Sequence, residues 1–113
     1  MLLYFFFSLE PSKIPQNFHG YNLSSTSLQL KWNPVQDGFV HGILRGYRLY
    51  YRITKLPLMP YINITYDSAT LSATLHDLLM FTKYTLQITA FTSKGEGPYT
   101  QPIIVSTDED GKS

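Results

Sequence analysis

The sequence contains no cysteine, so no disulfide can stabilise the fold and no thiolate is available for zinc binding or nucleophilic catalysis. Its formal net charge is only +1, which creates no strong field that would attract nucleic acid or an acidic membrane surface. Long apolar runs are also missing, because the stretch over residues 2–7 is far too short to span a bilayer. These absences exclude disulfide-rich scaffolds and thiol enzymes, and they argue against nucleic-acid binding.

The composition is that of a folded protein, with 43% hydrophobic and 15% charged residues in a chain of 113. A chain of this length forms one domain with its own core. We predict that the domain covers residues 11–108 and that residues 109–113 are a flexible C-terminal linker. Residues 1–10 are interpreted as a disordered, signal-like or non-native segment, since no positive charge precedes the apolar run.

Residues 84–90 show the clearest alternation of apolar and polar side chains. Tyr84, Leu86 and Ile88 share one face, and Thr85 and Gln87 share the other, which indicates a long strand with one apolar face. The glycines and proline of residues 95–98 predict that this strand ends in a turn before a final strand over residues 101–107.

The same alternation recurs along the chain, with turn residues between the segments and no helical stretch. We count seven strand signals, which predict an all-β, seven-stranded antiparallel Greek-key β-sandwich. A tyrosine corner is expected where the hydroxyl of Tyr84 turns back to the preceding backbone. The expected core residues are Trp32, Tyr47, Leu49, Leu78, Tyr84, Leu86 and Ile88.

Several short motifs, in this order and spacing, resemble a fibronectin type III domain. The resemblance covers nearly the whole chain. The sequence is most similar to repeats of neural cell-adhesion proteins or receptor-type tyrosine phosphatases. One departure is Met80, where the family usually has proline. The motifs are Pro15, Phe18, Trp32 with Asn33 and Pro34, residues 46–51, Leu78 with Tyr84, Ala90, residues 95–98 and Thr107.

The resemblance implies a non-catalytic protein-interaction or spacer module of a larger extracellular or cell-surface protein, such as a receptor ectodomain. The expected partners are another protein or neighbouring tandem domains, with no nucleic acid and no membrane insertion by the folded domain. An alternative from a different class is an intracellular structural repeat of a muscle or cytoskeletal scaffold, which uses the same fold.

No catalytic residue, metal ligand or cofactor site is predicted. His19, His41 and His76 lie on three separate segments, and the sequence has no nucleophile elbow, phosphate loop or metal-ligand spacing. Two family-specific sites are also missing. The loop that carries Arg-Gly-Asp in integrin-binding members has Lys94-Gly95-Glu96 here, and a single tryptophan excludes the paired element of cytokine receptors.

Two glycosylation sequons are present, at Asn22 and Asn63. We expect both side chains to point to solvent, so that either could carry a glycan if the protein is secreted.

A protein-binding face is predicted where the strands containing Tyr47 and Tyr84 are neighbours. The alternative is that arginine side chains cover the rings of Tyr50 and Phe91, which would leave an ordinary surface. A binding loop over residues 92–99, with a charge pair between Lys94 and Glu96, is the second candidate. The predicted face consists of Arg48, Tyr50, Arg52, Gln87, Thr89 and Phe91.

Overall fold

The structure is a computed structural model that describes residues 14–35 and 43–107. The interpretations of residues 1–10, His41 and residues 109–113 concern parts of the chain outside these ranges. Within them, all of the regular structure is strand, which confirms the all-β prediction. The strands are β1 His19–Ser24, β2 Ser27–Lys31, β3 Leu44–Ile53, β4 Ile62–Asp67, β5 Ser72–Leu75, β6 Lys83–Thr92, β7 Gly95–Tyr99 and β8 Ile103–Ser106.

The strands form two antiparallel sheets packed as a sandwich. One sheet has the order β1-β2-β5, and the other has the order β4-β3-β6, with β7 and β8 both paired to the free edge of β6. β8 pairs with the first half of β6 and β7 with the second half, so together they are one edge strand with an interruption. This interruption raises the strand count from the predicted seven to eight.

The prediction that residues 95–98 form a turn is wrong. The turn is shorter, at Ser93 and Lys94, and pairing between β6 and β7 resumes at once with Gly95 opposite Thr92. Gly95 has a φ of 137°, a conformation that favours glycine in a tight hairpin. Pro98 is tolerated because an edge strand has a side where the missing N–H group is not needed.

The core lies between the two sheets, where the apolar faces of the alternating strands meet. All seven of the predicted core residues lie in it. Trp32 packs between two tyrosines, with ring centroids 5.7 Å from Tyr47 and 6.0 Å from Tyr66. Burial of each large side chain contributes about 1.5–3 kcal/mol, so this core supplies the main stabilisation of a domain without disulfides.

The corner between β5 and β6 is held by two side-chain hydroxyls. Tyr84 accepts a hydrogen bond of 2.9 Å from the backbone N–H of Leu79. Directly after β8, the hydroxyl of Thr107 donates to the carbonyl of Leu79 at 2.6 Å and accepts from the N–H of Thr82 at 3.0 Å. The corner includes Phe81 in the left-handed region, with a φ of 52°, which is uncommon for a bulky residue.

Replacement of Tyr84 by phenylalanine tests this corner. Tyr84→Phe removes the acceptor of the Leu79 N–H group and should lower the free energy of unfolding by about 1–3 kcal/mol. Tyr21→Phe is the matched control, because Tyr21 is exposed on β1. Equilibrium urea denaturation measures both, and equal midpoints for the two variants would show that the hydrogen bond does not stabilise the corner.

Candidate functional site

The six residues of the predicted binding face lie on the outer face of the larger sheet. The register of β3 and β6 places Arg48 opposite Thr89 and Tyr50 opposite Gln87. Thr89, however, is fully buried, because β7 covers it and its hydroxyl donates to the carbonyl of Gly97 at 2.8 Å. It therefore cannot contact a partner, and the prediction is wrong for this residue.

Arginine side chains cover part of this face. The guanidinium group of Arg48 lies 4.4 Å from the ring centroid of Phe91, so this ring is half-buried and not an exposed anchor. Arg52 stacks in the same way on Tyr61, at 4.5 Å. The alternative interpretation, in which arginine side chains cover the aromatic rings, is therefore correct for Phe91. It does not describe Tyr50, because the second stacked arginine, Arg52, lies over Tyr61.

Glu96 connects the outer face through three hydrogen bonds. Its Oε2 atom accepts from Arg48 Nη1 at 2.8 Å and from the hydroxyl of Tyr50, and its Oε1 atom accepts from the hydroxyl of Tyr99. The predicted charge pair with Lys94 is wrong, because Glu96 belongs to β7 and points across the sheet to Arg48. The predicted binding loop is reduced to a short hairpin turn.

The hydrogen bonds at Glu96 keep its carboxylate ionised. Burial alone raises the pKa of this carboxyl, but the bonds from Tyr50, Tyr99 and Arg48 outweigh that effect and hold the pKa below its ordinary value. The pKa of Tyr99 is raised, first by burial and then by its hydrogen bond to Glu96. The pKa of Arg48 is raised, mainly by its hydrogen bond to the same carboxylate. At neutral pH, ionised Glu96 and its three donors, Arg48, Tyr50 and Tyr99, therefore form one stable hydrogen-bonded unit.

Three tyrosines, Tyr50, Tyr61 and Tyr99, form what we call the tyrosine cluster. The ring centroid of Tyr50 lies 6.2 Å from that of Tyr61, with an interplanar angle of 89°, and 5.3 Å from that of Tyr99. With Gln87 they line a shallow depression of about 400 Å³. Sequence reasoning missed Tyr61 and Tyr99. The signal in the sequence for Tyr61 was its position two residues before Asn63, because residues two apart in an extended segment project from the same face.

The two sequons differ in their surroundings. Asn63 is exposed on β4, directly opposite Tyr50. The Nδ2 atom of Asn22 is buried and has no hydrogen-bond partner among the residues that the structure describes. Asn22 lies two residues from Gly20, whose added Cβ would meet the side chain of Leu30, so this side of β1 faces the sandwich interior. The expectation that both asparagines point to solvent is therefore wrong for Asn22.

A second surface, which sequence reasoning missed, lies at the end of the sandwich where β8 ends. Six large apolar side chains of the two loops there are exposed, and we call this surface the exit pole. Leu56 and Leu79 line both of its cavities, of about 340 and 430 Å³, and Ser106 at the end of β8 lines the larger one. The only signal in the sequence was the apolar character of two loops. The exit pole consists of Leu56, Leu58, Met59, Leu79, Met80 and Phe81.

The described part of the chain contains no group of three or more His, Cys, Asp or Glu residues that could hold a metal ion. His19 bonds locally to the carbonyl of Asn17, and His76 lies on a different strand connection. Over residues 14–35 and 43–107, no helix is long and apolar enough to cross a membrane.

Comparison with known proteins gives one consistent family. The model of the fibronectin type III domain matches residues 13–106. The chain is 38% identical over 102 residues to receptor-type tyrosine-protein phosphatase S of Gallus gallus, covering 88% of this chain and 6% of that protein. It is 34% identical over 100 residues to protein sidekick-1 of Homo sapiens, covering 88% and 4%. The chain thus spans only a small part of the length of these relatives.

Solved structures agree with the fold. The third fibronectin III domain of the human KIAA0343 protein has a TM-score of 0.78 at 28% identity, covering 91% of this chain and 88% of that one. The fn3 domain of human contactin 1 has a TM-score of 0.75 at 26% identity, covering 92% and 85%. Both similarities extend over nearly the full length of each domain.

Removal of the negative charge at Glu96 tests the network on the outer face. Glu96→Gln should lower the free energy of unfolding at pH 7 by about 1 kcal/mol, since three donors lose a charged acceptor at a partly exposed site. Because the folded pKa is depressed, this stabilisation is present above the unfolded pKa and is lost as the pH falls through the folded pKa. Urea denaturation at several pH values should show the difference narrowing below about pH 4.

Asp77→Asn is the matched control, because Asp77 is an exposed carboxylate on the corner between β5 and β6. A loss that is equal for the two variants, or a Glu96→Gln loss that does not change with pH, would contradict the proposed role of the network.

Proposed function

The chain belongs to the fibronectin type III family, and from this premise we propose that it serves a longer extracellular or cell-surface protein by contacting neighbouring modules and partner proteins. As a domain of this family it is a non-catalytic interaction module. We propose domain limits of residues 11–108, with residues 109–113 as a linker to the next module. Neither nucleic acid nor membrane insertion by the folded domain is part of this proposal. The net charge of only +1 creates no strong field that would attract nucleic acid.

The extracellular setting is supported by two observations. The relative from Gallus gallus is named a receptor-type phosphatase, and the sequon at Asn63 has an exposed asparagine. The alternative, an intracellular structural repeat, predicts no glycan at this position in any cell. Attachment of a glycan is therefore the property that separates the two settings.

The observation that carries the proposal is the exit pole. Large exposed apolar patches on soluble domains mark surfaces that contact other proteins. This patch surrounds the end of the last strand, where Ser106 leads to the following residues of the chain. The occupant that fits this position is a module that directly follows in the longer chain, because short linkers bring successive modules into contact at their ends. We propose that the exit pole sets the angle between the two modules.

Polar substitutions at the exit pole test this contact. In Leu58→Ser with Phe81→Asn, the altered side chains are 97% and 69% exposed, so the free energy of unfolding should change by less than about 0.5 kcal/mol for each residue. Asparagine is chosen for Phe81 because it tolerates a positive φ. In a fragment that includes the following module of the parent protein, NMR relaxation should show that the two modules now tumble more independently.

Ile43→Ser is the control, because Ile43 is 76% exposed and lies outside the exit pole. If the double substitution leaves the tumbling of both modules unchanged, or if no module follows in the parent protein, the exit pole is not an intermodule contact.

A second candidate function, partner binding by the outer face, is favoured by the tyrosine cluster. Tyrosines are enriched at the energetic centres of interfaces, and they bind with little loss of side-chain entropy when their rings are already fixed. Glu96 fixes Tyr50 and Tyr99 through their hydroxyls. With Phe91 covered and Thr89 buried, we propose that the binding face consists of the tyrosine cluster with Arg48, Arg52 and Gln87 around it.

Removal of one tyrosine ring tests this face. Tyr99→Ala and the control Tyr21→Ala remove side chains of nearly equal exposure, 42% and 43%, from opposite sheets. Surface plasmon resonance with a binding protein of the parent chain should show at least a tenfold loss of affinity for Tyr99→Ala alone, or about 1.4 kcal/mol. Equal dissociation constants for the two variants would leave the domain as a spacer. Tyr50 and Phe91 are less suitable targets because both are half-buried, whereas Tyr99 is exposed.

A further inference from the structure

The sequon at Asn63 lies in an unusual place for a glycan, within a strand and beside aromatic rings. β4 is the edge strand of the larger sheet and pairs only with β3 in the described structure. Asn63 is exposed there, so its Nδ2 atom is on a side chain that solvent reaches. Because side chains alternate along a strand, Asn63 and Thr65 project from the same face of the sheet, the outer one.

Two tyrosine side chains lie near this asparagine. Tyr50 lies directly opposite Asn63 on β3, and Cβ atoms of such cross-strand pairs are about 4.5–5.5 Å apart. Tyr61 precedes Asn63 by two residues and packs edge-on against Tyr50. These two rings form one wall of the depression that extends over β3 and β6 to Gln87 and Tyr99. The depression therefore begins one strand away from the point of attachment.

The depression has the chemistry of a carbohydrate site. One face of an N-acetylglucosamine ring presents C–H groups, and the negative face of an aromatic ring attracts such polarised hydrogens. Its hydroxyl and N-acetyl groups need hydrogen-bond partners. The hydroxyl oxygens of Tyr50 and Tyr99 donate to Glu96 but can still accept, and the amide oxygen of Gln87 can accept while its Nε2 donates to the carbonyl of Thr100. The volume of about 400 Å³ falls in the range of about 300–1,000 Å³ that is typical of small-ligand sites.

We propose that an N-linked glycan on Asn63 packs its first sugars into the depression of the tyrosine cluster. The linkage forms when Nδ2 attacks C1 of the first N-acetylglucosamine of a lipid pyrophosphate-linked oligosaccharide. The C1–oxygen bond to the pyrophosphate breaks, and the amide loses one proton. The proposal rests on the extracellular setting proposed above, because this donor belongs to the secretory pathway.

The rings that receive the sugar are already held in place. Arg52 stacks on one side of Tyr61 at 4.5 Å, and Glu96 fixes the hydroxyl of Tyr50. A preorganised site binds without the entropy cost of ordering its side chains. The sugar and a protein partner would occupy the same rings. The glycan therefore regulates the outer face, and the unglycosylated form is the one with an open tyrosine cluster.

The experiment compares glycosylated protein with and without a ring at position 61. The 113-residue chain is secreted from cells that make only high-mannose glycans, and endoglycosidase H then trims each glycan to one N-acetylglucosamine. Intact mass should show one sugar on the wild type and none on Asn63→Gln. In NMR spectra, the ring protons of this sugar should shift upfield, and Tyr61→Val should abolish that shift. Tyr21→Val, on the opposite sheet, should retain it.

Thermal unfolding gives an independent readout. The single sugar should raise the Tm of the wild type by about 4 °C relative to Asn63→Gln, since an aromatic contact of this kind shifts a domain of this size by about that amount. In the Tyr61→Val background, the difference between glycosylated protein and Asn63→Gln should disappear. In the Tyr21→Val background it should remain.

Two results would overturn the proposal, and they are distinguishable. A sugar that is attached but has the chemical shifts of free glycopeptide, with equal Tm gains in both tyrosine backgrounds, would show that the depression does not hold it and would leave the extracellular setting intact. Secreted protein without any sugar on Asn63 would overturn the site itself and argue against the extracellular setting.

Discussion

The antiparallel pairing of β3 with β6 is the constraint on which both surfaces of the larger sheet depend. Leu49 lies opposite Ile88 in this pair, and the alternation of side chains sends both into the core. The same register places Tyr50 opposite Gln87 on the outer face. A slip of one residue would exchange the two faces, so the stability of the core also determines which groups meet outside. The outer face therefore needs no separate folding information.

On that outer face, a polar network holds the side chains in position, as apolar packing does in the core. Glu96 joins β7 to Arg48 and Tyr50 on β3, across the intervening strand β6. The ion pair between Arg48 and Glu96 has both side chains partly buried, at 28% and 24% exposure, which reduces its screening by salt. Because the network bonds the hydroxyls of Tyr50 and Tyr99, it holds both rings in fixed positions on this face.

The sequence predicted the parts of this molecule that follow a local period. Trp32, Leu49 and Ile88 were identified as core residues because alternation alone determines which side of a strand they occupy. The role of Glu96 could not be predicted, since its partner Arg48 is 48 residues away in the chain. β7 was not predicted because Pro98 indicates the end of a strand. Proline is compatible with a strand only at a sheet edge, and the sequence does not show that β7 lies at one.

The outer face and the exit pole differ in how far the sequence could predict them. The face bearing Tyr50 could be predicted from the alternation in β3, although the burial of Thr89 by β7 could not. The exit pole lies in loops, which have no period, so exposed residues such as Leu58 and Phe81 gave no directional signal. Asn22 shows the limit of motif reasoning, because a sequon states which residues are present and not which side of the strand they occupy.

The interrupted last strand has a mechanical consequence. The backbone bond between Leu78 and Thr26 places the turn after β1 beside the corner where β8 ends. Residue 14 precedes the other end of β1, so residues 14 and 107 lie towards opposite ends of the domain. Tension applied through the two termini therefore pulls β8 along β6, which loads their hydrogen bonds in shear. β8 has only four residues and is separated from β7 by the break, whereas β7 is anchored independently by Glu96. Under load, the terminal segment would release first and extend the chain, while the remaining strands keep their pairing.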